Sequence, residues 1–323
     1  MTRVFVYEYL SGGGLVGDDP AAGDTLLPSG VSMRDAIVAD LLSLPDCAVT
    51  AAVCAHAAAL PDRVAGVRAD DGESPFAFVA RQARAHDLVW LVAPETGGLL
   101  AQFRQVVGPQ RWLGCTPGAI ELATSKRATL IRLAAHGVTT PLAFEHDPLT
   151  RRWVTKPDDG AGGVATRVHA DRSAARDDWT QRTGAGQAVA LEPWIDGDAL
   201  SVSLLGRSSG ADLLSVNRQA IAVAPDGRLS YEGVHVDVMA PSDPRRAALG
   251  RVASQVVQAM AGLRGFVGID LVWHDRLGPV VIEVNPRVTC AYVGLSAALG
   301  RNLAAEVLDA HRAEHAGPGH ADA

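Results

Sequence analysis

The sequence predicts a parallel α/β unit at the start of the chain and α+β architecture with an antiparallel sheet towards its end. Strand-like and helical segments alternate up to residue 115, as they do where helices connect parallel strands. Strand-like segments follow one another directly between residues 200 and 238, as in antiparallel sheets. A last pair of strand-like runs, 268–273 and 280–285, is separated by a loop of hairpin length. We therefore expect a doubly wound first unit and an antiparallel last unit.

The first strand, Val4–Tyr9, leads into a glycine-rich loop whose backbone can closely approach a ligand. Gly12, Gly14 and Gly17 match the Gly-x-Gly-x-x-Gly spacing, but Asp-Asp-Pro follows where a dinucleotide site requires a helix to open. We therefore expect a substrate loop, in which a carboxylate can meet an ammonium group and backbone N–H groups can meet a carboxylate. The candidate substrate-binding residues in it are Glu8, Ser11, Gly12 and Gly13.

Sequence signals for the starts of helices indicate the remaining elements of the first unit. Ser32–Asp35 resembles a capping box, and Ser74 followed by Pro75 is typical of a helix start. The loop 94–98 follows a buried strand at the same sheet edge as the glycine loop, so Glu95 joins the substrate-binding candidates. The predicted elements are a helix at 32–44, a strand at 49–53, a helix at 75–85 and a strand at 88–92.

Composition and charge exclude several classes of function. The formal net charge is −7 and no basic patch is present, which argues against a nucleic-acid-binding surface. No apolar run reaches the length of a membrane span, and no signal-peptide pattern precedes the first strand. The cysteines lack Cys-x-x-Cys spacing, so we expect a cytoplasmic protein with reduced thiols. They are Cys47, Cys54, Cys115 and Cys290.

A lysine-bearing helix and a lysine-bearing strand open the second unit. The predicted helix, 124–136, carries Lys126, and the predicted strand, 153–157, carries Lys156 and runs into the glycine-rich loop 158–163. Such a loop can cradle phosphates with its backbone N–H groups while a neighbouring lysine supplies positive charge. The alternative is that Lys156 lies at a strand edge and extends its amine into solvent.

The remaining segments predict a helix, a series of antiparallel strands and two more helices. Pro225–Gly227 has the composition of a turn between two of the strands. The predicted elements are a helix at 174–182, strands at 188–198, 200–205, 213–222 and 234–238, an amphipathic helix at 245–263 and a closing helix at 295–311.

The last hairpin places three oxygen-bearing side chains on one face. Alternation puts Glu283 and Asn285 on the same side of their strand. A four-residue loop with His274 opposite Pro279 brings Asp270 opposite Glu283. Facing carboxylates repel each other unless a cation lies between them, and Mg²⁺ prefers oxygen ligands that it commonly shares with phosphate. The pattern therefore indicates nucleotide chemistry, and the alternative is a surface hairpin with solvated acids.

The order of these parts resembles the ATP-grasp superfamily of carboxylate–amine ligases over nearly the whole chain. The resemblance implies a Rossmann-like N-terminal domain at 1–115, a small α/β lid at 116–190, an antiparallel catalytic domain at 191–313 and a disordered tail at 314–323. It also implies that ATP, with Mg²⁺ or alternatively Mn²⁺, is held between the lid and the last domain.

The resemblance extends to individual site residues. Asp270, Glu283 and Asn285 resemble the magnesium ligands of the superfamily. Lys156 and Arg287 resemble catalytic groups that stabilise charge on the transferred phosphate. The residues that resemble its nucleotide-binding groups are Lys126, Lys156, Gly160, Gly162, Gly163, Glu192, Trp194 and Ile195.

Two positions depart from the pattern of the D-alanine ligases in that superfamily. The ribose-binding acid falls at Ala199, so Asp198 is the candidate in its place, with a simple turn residue as the alternative. The arginine two residues before the first metal-binding aspartate is replaced by Gly268. Arg218 is therefore the candidate for that catalytic and substrate-binding cation, with a surface arginine as the alternative.

Short motifs also resemble the branch of the superfamily that serves methanofuran and methylofuran biosynthesis. They are Tyr7–Gly14, Ala93–Glu95, Ser215–Gln219 and Tyr231–Gly233. The resemblance implies an acyl-phosphate route in which glutamate is activated and tyramine or tyrosine is the attacking amine. The alternatives are a dipeptide or amino-acid ligase with other substrates and a non-catalytic ATP-binding regulatory protein. The expected partners are thus an amino acid and an amine, without nucleic acid or membrane, and a homodimer is compatible with the sequence.

Overall fold

The computed structural model describes residues 1–14, 20–55 and 57–315, without the side chains of residues 20–25. Gly17 of the glycine spacing and residues 316–323 of the predicted tail lie outside the described residues. The described part contains a parallel sheet, a small antiparallel sheet and a larger antiparallel sheet. The fold class expected from the sequence is therefore confirmed.

The first unit is a parallel sheet with helices on both faces. Its elements are β1 (Thr2–Glu8), α1 (Pro20–Leu42), β2 (Cys47–Ala52), β3 (Ala65–Val67), α2 (Pro75–Ala85), β4 (Leu88–Val92) and α3 (Leu99–Val107). The strand order is β3-β2-β1-β4. Phe5 and Tyr7 of β1 pack in one hydrophobic cluster with Phe78, and Val4 and Val6 pack in another with Ile37. Both faces of β1 are thus buried, as parallel sheets require.

Helix α1 begins earlier than the capping-box pattern predicts. It starts at Pro20, and Ser32 lies inside it, where the Ser32 hydroxyl donates to the carbonyl oxygen of Pro28 at 2.9 Å. The expectation that no helix opens after the glycine spacing is therefore wrong. Gly30 lets α1 pass close to the first strand, because a Cβ there would lie 2.5 Å from Oε2 of Glu8.

The second unit contains the small antiparallel sheet, whose strand order is β6-β5-β7. The sheet and its helix comprise β5 (Trp153–Pro157), β6 (Arg167–His169), α6 (Arg172–Gly184) and β7 (Val189–Pro193), and they are preceded in the chain by α4 (Pro117–Thr124) and α5 (Lys126–Ala135). Ser125 caps α5, and its hydroxyl accepts from the backbone N–H of Ala128 at 3.1 Å. The predicted helix at 124–136 is thus present, beginning at Lys126.

The third unit is a five-stranded antiparallel sheet in the order β10-β9-β8-β11-β12. Its elements are β8 (Asp198–Arg207), β9 (Gly210–Val223), β10 (Leu229–His235), α7 (Pro244–Ala259), β11 (Gly265–His274), β12 (Gly278–Asn285), α8 (Leu295–Leu299) and α9 (Leu303–His315). Leu200 and Val202 face the core beside Ala253 and Val256 of α7. Ser201 and Asn217 project from the other face, which leads to the candidate site.

Two elements of the third unit differ from their predicted form. The strand expected at 234–238 ends at His235 and begins at Leu229 instead. The expected closing helix at 295–311 is two helices, because Gly300 adopts a left-handed conformation with φ of 64° and ends α8. A hydrophobic pattern continues across this break, which is why the sequence alone reads it as one helix.

In the described ranges no helix is long and apolar enough to cross a membrane. All four cysteines are free thiols.

Candidate active site

Asp270 lies opposite Glu283 in the β11–β12 hairpin, as the sequence predicts, but through a different register. His274 pairs with Gly278 rather than with Pro279, so the hairpin loop has three residues. A β-bulge at Ile282 then shifts the register by one residue and restores the Asp270–Glu283 pair. The predicted loop was wrong, and the predicted pair is confirmed.

The Asp270 carboxylate is held by two side-chain amides. Nδ2 of Asn285 donates to its Oδ2 at 3.2 Å, and Nε2 of Gln219 donates to its Oδ1 at 2.9 Å. Burial, together with the neighbouring charge of Glu283, raises the pKa of Asp270 from 3.8 to about 7. Negative charge on Asp270 is therefore disfavoured, first by burial and then by Glu283.

Two lysines supply positive charge next to this pair. Nζ of Lys126 lies 3.0 Å from Oε1 of Glu283 and also donates to the carbonyl oxygen of Gly160. Nζ of Lys156 lies 2.8 Å from Oε2 of Glu192. Burial lowers the pKa of Lys156, but the charges of Glu192 and Glu283 outweigh burial and raise the pKa above its ordinary value. Only 6% of Lys156 is exposed, so the solvent-directed alternative for this lysine is wrong.

Glu192 retains a free acceptor beside Lys156. Its side chain is 2% exposed, and among the described residues its Oε1 has no hydrogen-bond partner. A buried carboxylate oxygen without a partner is costly, so a ligand donor at this position would be stabilised.

The glycine-rich loop after β5 is tied to the start of α5. The Asp158 carboxylate accepts from the Ser125 hydroxyl at 2.6 Å and from the backbone N–H of Arg127 at 2.9 Å. Gly162 and Gly163 have positive φ angles of 66° and 70°, a conformation that favours glycine. The loop that carries Gly160 therefore lies directly beside Lys126.

A backbone contact, here called the clasp, joins residues 166–168 of the second unit to residues 227–229 at the tip of the β9–β10 hairpin. The N–H of Val168 donates to the carbonyl oxygen of Gly227 at 2.7 Å. The N–H of Leu229 donates to the carbonyl oxygen of Thr166 at 3.1 Å. Gly227 has φ of 84°, and a Cβ there would lie 2.2 Å from the carbonyl oxygen of Val168. The clasp therefore requires glycine at this position.

Arg287 and Glu95, predicted separately to contact phosphate and substrate, bind each other. Nε of Arg287 donates to Oε1 of Glu95 at 2.9 Å, and a terminal nitrogen donates to Oε2 at 3.0 Å. Burial lowers the pKa of Arg287, but the Glu95 carboxylate outweighs burial and raises the pKa above its ordinary value. Glu95 thus engages a protein group and does not present a free carboxylate to a substrate.

Trp194 and Ile195, which are predicted to bind nucleotide, directly follow β7. Ile195 is buried among Phe144 and Val280. Nε1 of Trp194 donates to Oδ1 of Asp196 at 3.1 Å, on the exposed side of the segment. These two side chains stabilise the connection between β7 and β8.

Asp198 lies on the wrong face of the sheet for its predicted role in ribose binding. Alternation along β8 places it on the opposite face from Ser201, which pairs with Asp270. Its carboxylate accepts from Arg245 of α7 at 3.3 Å. Asp198 thus lies in β8 rather than in a turn, and its side chain forms an ion pair with α7.

Arg218 also lies on the face of the sheet opposite to Asp270. Its neighbour Gln219 takes the position beside Asp270 that the sequence predicts for Arg218. Arg218 is exposed and pairs with Leu200, which faces the α7 core. Gln219 projects from the other face and reaches Asp270. Strand alternation could have found Gln219 once the pairing of β8 with β9 was known.

Glu8 is used by the protein itself. Its side chain is 3% exposed and accepts from the backbone N–H groups of Leu10 at 3.2 Å and Ser11 at 2.7 Å. Burial raises its pKa, although the hydrogen bonds from Ser11 oppose this shift. The Glu8 carboxylate thus shapes the loop that carries Gly12 and Gly13, and its contact with a substrate ammonium stays a prediction.

An apolar surface continues from Gln219 along the β9–β10 hairpin. Ile221 lies two residues beyond Gln219 on the same face, is 38% exposed and pairs with Tyr231. The Tyr231 hydroxyl hydrogen-bonds with Cys290, and burial raises its pKa. We call Ile221 and Tyr231 the hairpin wall. It places apolar surface beside the Asp270 carboxylate.

The hairpin offers two carboxylates and one amide to a metal ion. Within the part of the chain that the structure describes, no three His, Cys, Asp or Glu side chains are close enough to hold a metal. The carboxylate and amide oxygens of these three side chains are the ligand type that a hard cation prefers. Asp270, Glu283 and Asn285 therefore fit Mg²⁺ in ligand type, with phosphate oxygens as natural further ligands.

Two family models match the chain. An ATP-grasp domain matches residues 123–291, and a pre ATP-grasp 3 domain matches residues 47–120. Tyramine–L-glutamate ligase of Methanocaldococcus fervens is 27% identical over 212 residues, which is 65% of this chain and 61% of that protein. The same enzyme of Methanocaldococcus jannaschii is 27% identical over 65% of this chain and 58% of its own length. The chain thus spans about three fifths of the length of these relatives.

Solved structures show the same fold. An ATP-grasp superfamily protein from Archaeoglobus fulgidus has a TM-score of 0.70 at 22% identity, and the match covers 96% of this chain and 88% of that one. The L-amino acid ligase from Bacillus licheniformis has a TM-score of 0.64 at 19% identity, over 97% and 74% of the two chains. D-alanine–D-alanine ligase from Bacillus anthracis has a TM-score of 0.66 at 14% identity, over 99% and 100%.

Proposed function

The chain belongs to the ATP-grasp family, and from this we propose that it is an ATP-dependent ligase that joins a carboxylate to an amine. One observation carries the proposal: Asp270 and Glu283 form a carboxylate pair with Lys126 and Lys156 close to it. Such a site holds both the oxygen ligands and the fixed cations that a nucleoside triphosphate requires.

The proposed reaction has two steps. The carboxylate of the acid attacks the γ-phosphoryl group of ATP, so that an acyl phosphate forms and ADP leaves. The amine then attacks the acyl carbon, loses a proton and expels phosphate, which gives an amide. The protein has little covalent work to do, and it acts by positioning the reactants and stabilising charge.

The residues of the candidate site have roles in this reaction that their positions support. Lys126 and Lys156 stabilise negative charge on the phosphates, and Asp270, Glu283 and Asn285 would hold Mg²⁺ or Mn²⁺. A bound ion would supply charge neutralisation at the phosphate oxygens. The backbone N–H groups of the Gly160–Gly163 loop would contact the phosphates from the side of the second unit, which acts as a lid.

Adenine would lie beside β7 in this proposal. Oε1 of Glu192 is an acceptor without a partner among the described residues, and an adenine amino group is a donor. The backbone N–H of Trp194 donates to the carbonyl oxygen of Arg152, so contact with the rest of the base would come from other backbone groups of this segment. The side chains of Asp198 and Arg218 have no part in this arrangement.

We assign glutamate as the acid and tyramine or tyrosine as the amine, which gives a γ-glutamyl amide of the kind found in methanofuran-type cofactors. The names of the two curated relatives support this assignment. The hairpin wall supports it as well, because Ile221 and Tyr231 offer apolar surface to an aromatic amine next to Asp270. An aromatic ring that covers such surface is stabilised by burial.

Mass spectrometry of the product tests the proposal. Reactions contain ATP, Mg²⁺, glutamate and either tyramine or tyrosine, and reactions that lack each component serve as controls. We expect a condensed product together with ADP and phosphate. Product from other amino-acid pairs alone would retain the ligase and reject the furan-cofactor assignment. ATP binding without stimulated phosphate release for any acid and amine would favour a regulatory protein.

A matched pair of variants tests the role of the hairpin wall. Ile221→Ser removes apolar surface near Asp270, and Val238→Ser removes a similarly exposed side chain, 44% exposed, that lies outside the strands. We expect Ile221→Ser to lower kcat/KM for tyramine about tenfold, as the loss of a few methylene contacts does. Val238→Ser should leave it unchanged. Equal effects of the two variants would remove this support for an aromatic amine.

A further inference from the structure

The loop that follows β4 contacts both of the other units. Glu95 binds Arg287, which follows β12 in the third unit. Two residues further along, the backbone N–H of Gly97 donates to Oδ2 of Asp159 at 2.9 Å, in the glycine-rich loop of the second unit. We call residues 94–98 the junction loop. At this loop the first unit contacts both the glycine-rich loop of the lid and the candidate site.

The contacts of Arg287 fix its guanidinium group. Two of its nitrogens donate to Glu95, and the third donates to the backbone carbonyl oxygen of Val288 at 3.2 Å. The side chains of Arg287 and Glu95 are only 11% and 4% exposed. A bidentate pair of this kind sets the plane and the position of the guanidinium, which a lysine cannot reproduce.

Arg287 lies close enough to the carboxylate pair to affect its electrostatics. The guanidinium charge lowers the pKa of Asp270, against the larger effects of burial and Glu283 that raise it. Glu283 in turn contributes to the raised pKa of Arg287. Arg287 follows the proposed metal ligand Asn285 by two residues at the end of β12, and the orientation of its guanidinium depends on Glu95 of the first unit.

We propose that Glu95 is a positioning residue for Arg287, and that the junction loop transmits lid docking at Gly97 to this arginine. The inference deepens the proposed function and rests on it for the role of Arg287 at the transferred phosphate. It replaces the expectation that Glu95 binds substrate. Because Glu95 and Gly97 belong to one short loop, a shift at Asp159 changes the position from which Glu95 holds Arg287.

Steady-state kinetics test the positioning role. Glu95→Gln keeps the shape of the side chain and removes its charge, and we expect kcat to fall about 100-fold, the usual effect of a displacement near 1 Å. KM for ATP should stay within about threefold. Arg287→Lys should show a similar fall, and the double variant should lose no more than either single one, because the two residues act as a unit.

A matched control separates this effect from the general loss of an ion pair. Asp87 accepts from Arg3 through both carboxylate oxygens on the surface of the first unit. Asp87→Asn should leave kcat unchanged. Glu95→Asp, which keeps the charge on a shorter side chain, should recover part of kcat. Unchanged kcat in Glu95→Gln, or a loss confined to KM for the acid substrate, would overturn the inference.

Side-chain NMR decides the coupling without relying on turnover. In ¹⁵N-arginine-labelled protein, the Nε–H resonance of Arg287 is assigned as the one missing from Arg287→Lys. We expect Glu95→Gln to shift and broaden it, and ADP with Mg²⁺ to shift it in the wild-type protein. Asp159→Ala lacks the acceptor for the Gly97 N–H. In this variant, the shift of the Arg287 Nε–H resonance on addition of ADP with Mg²⁺ should be at least twofold smaller than in the wild-type protein.

Amide formation and the Arg287 resonance together distinguish failure of the proposed function from failure of the coupling through the junction loop. If the wild-type protein makes no amide but the Arg287 resonance responds as expected, the proposed function fails and the coupling through the junction loop stands. If the resonance is the same in Glu95→Gln, or its nucleotide response is the same in Asp159→Ala, the coupling fails even where ligation is observed.

Discussion

Asp270 faces Glu283 across β11 and β12 only because a bulge at Ile282 compensates for a hairpin loop that is one residue shorter than the sequence predicts. Without the bulge, a change of one residue in register would turn the Glu283 side chain to the opposite face of the sheet. The bulge therefore determines whether the two carboxylates can share a cation. It also increases the local twist of β12 where Glu283 and Asn285 project.

Loss of one member of the carboxylate pair is expected to lower activity strongly while the free energy of unfolding stays nearly constant. Glu283→Gln removes one carboxylate of the proposed metal site, so we expect kcat to fall at least about 100-fold at ordinary Mg²⁺ concentrations. The free energy of unfolding should change by no more than about 1 kcal/mol, because the loss of repulsion with Asp270 offsets the loss of the ion pair to Lys126. Turnover and urea unfolding measure the two effects. Asp275→Asn, in the exposed loop of the same hairpin, is the control and should change neither. Normal turnover in Glu283→Gln would reject the site.

Substitution of Lys156 is expected to lower the free energy of unfolding, and a second substitution at its partner Glu192 is expected to restore it. Lys156→Met leaves the Glu192 carboxylate buried without a cation, so we expect a loss of about 3–5 kcal/mol in the free energy of unfolding without nucleotide. Adding Glu192→Gln removes the stranded charge and should recover most of that loss. ATP binding should remain weak in both proteins, because neither has the amine. Calorimetric unfolding and nucleotide titration give the two readouts, and recovery of ATP affinity in the double variant would contradict the phosphate-binding role.

The pKa of Asp270 predicts a loss of stability as pH rises. Its value in the folded protein, about 7, lies above its ordinary 3.8, so the fold favours the protonated acid. This stabilisation is complete below pH 4 and is lost as the pH rises through 7. One pKa unit corresponds to about 1.4 kcal/mol, so wild type should lose about 2 kcal/mol or more relative to Asp270→Asn between pH 4 and 8. Urea unfolding in EDTA measures the difference, and parallel pH curves for the two proteins would contradict it.

The clasp predicts that a single methyl group can weaken nucleotide binding. Gly227→Ala places a Cβ against the carbonyl oxygen of Val168, so we expect the lid to separate from the hairpin and KM for ATP to rise about tenfold. Gly72→Ala is the control, since Gly72 also has a positive φ of 74° but has open space around it. Both variants bear the backbone strain, and only Gly227→Ala also disturbs the clasp. Equal KM values would show that the clasp has no part in holding ATP.

Local patterns in the sequence predict much of the fold. The strand that carries Lys156, the cap at Ser74 and the hairpin of Asp270 and Glu283 each depend on residues close together in the chain, and each is present. Helix α1 begins earlier than the sequence predicts, because the cap-like Ser32 lies within a longer helix that packs on β1 and needs no cap there. Tertiary packing overrides the local signal in such cases.

The side chains of the candidate site were harder to predict, because their positions depend on pairing between distant strands. Arg218 and Gln219 are adjacent in sequence, and only the register of β8 with β9 shows which of them reaches Asp270. Glu95 and Arg287 are 192 residues apart, and no periodicity connects them. Residue type identified both as charged candidates but could not reveal that each is the other's partner.

The clasp is formed by main-chain atoms, and this affects how freely the sequence around it can diverge. The two hydrogen bonds between residues 166–168 and 227–229 need no particular side chain apart from the absence of a Cβ at Gly227. Substitutions elsewhere in these segments can therefore accumulate without loss of the contact. This contact between the two segments can persist in this way between chains that differ widely in sequence.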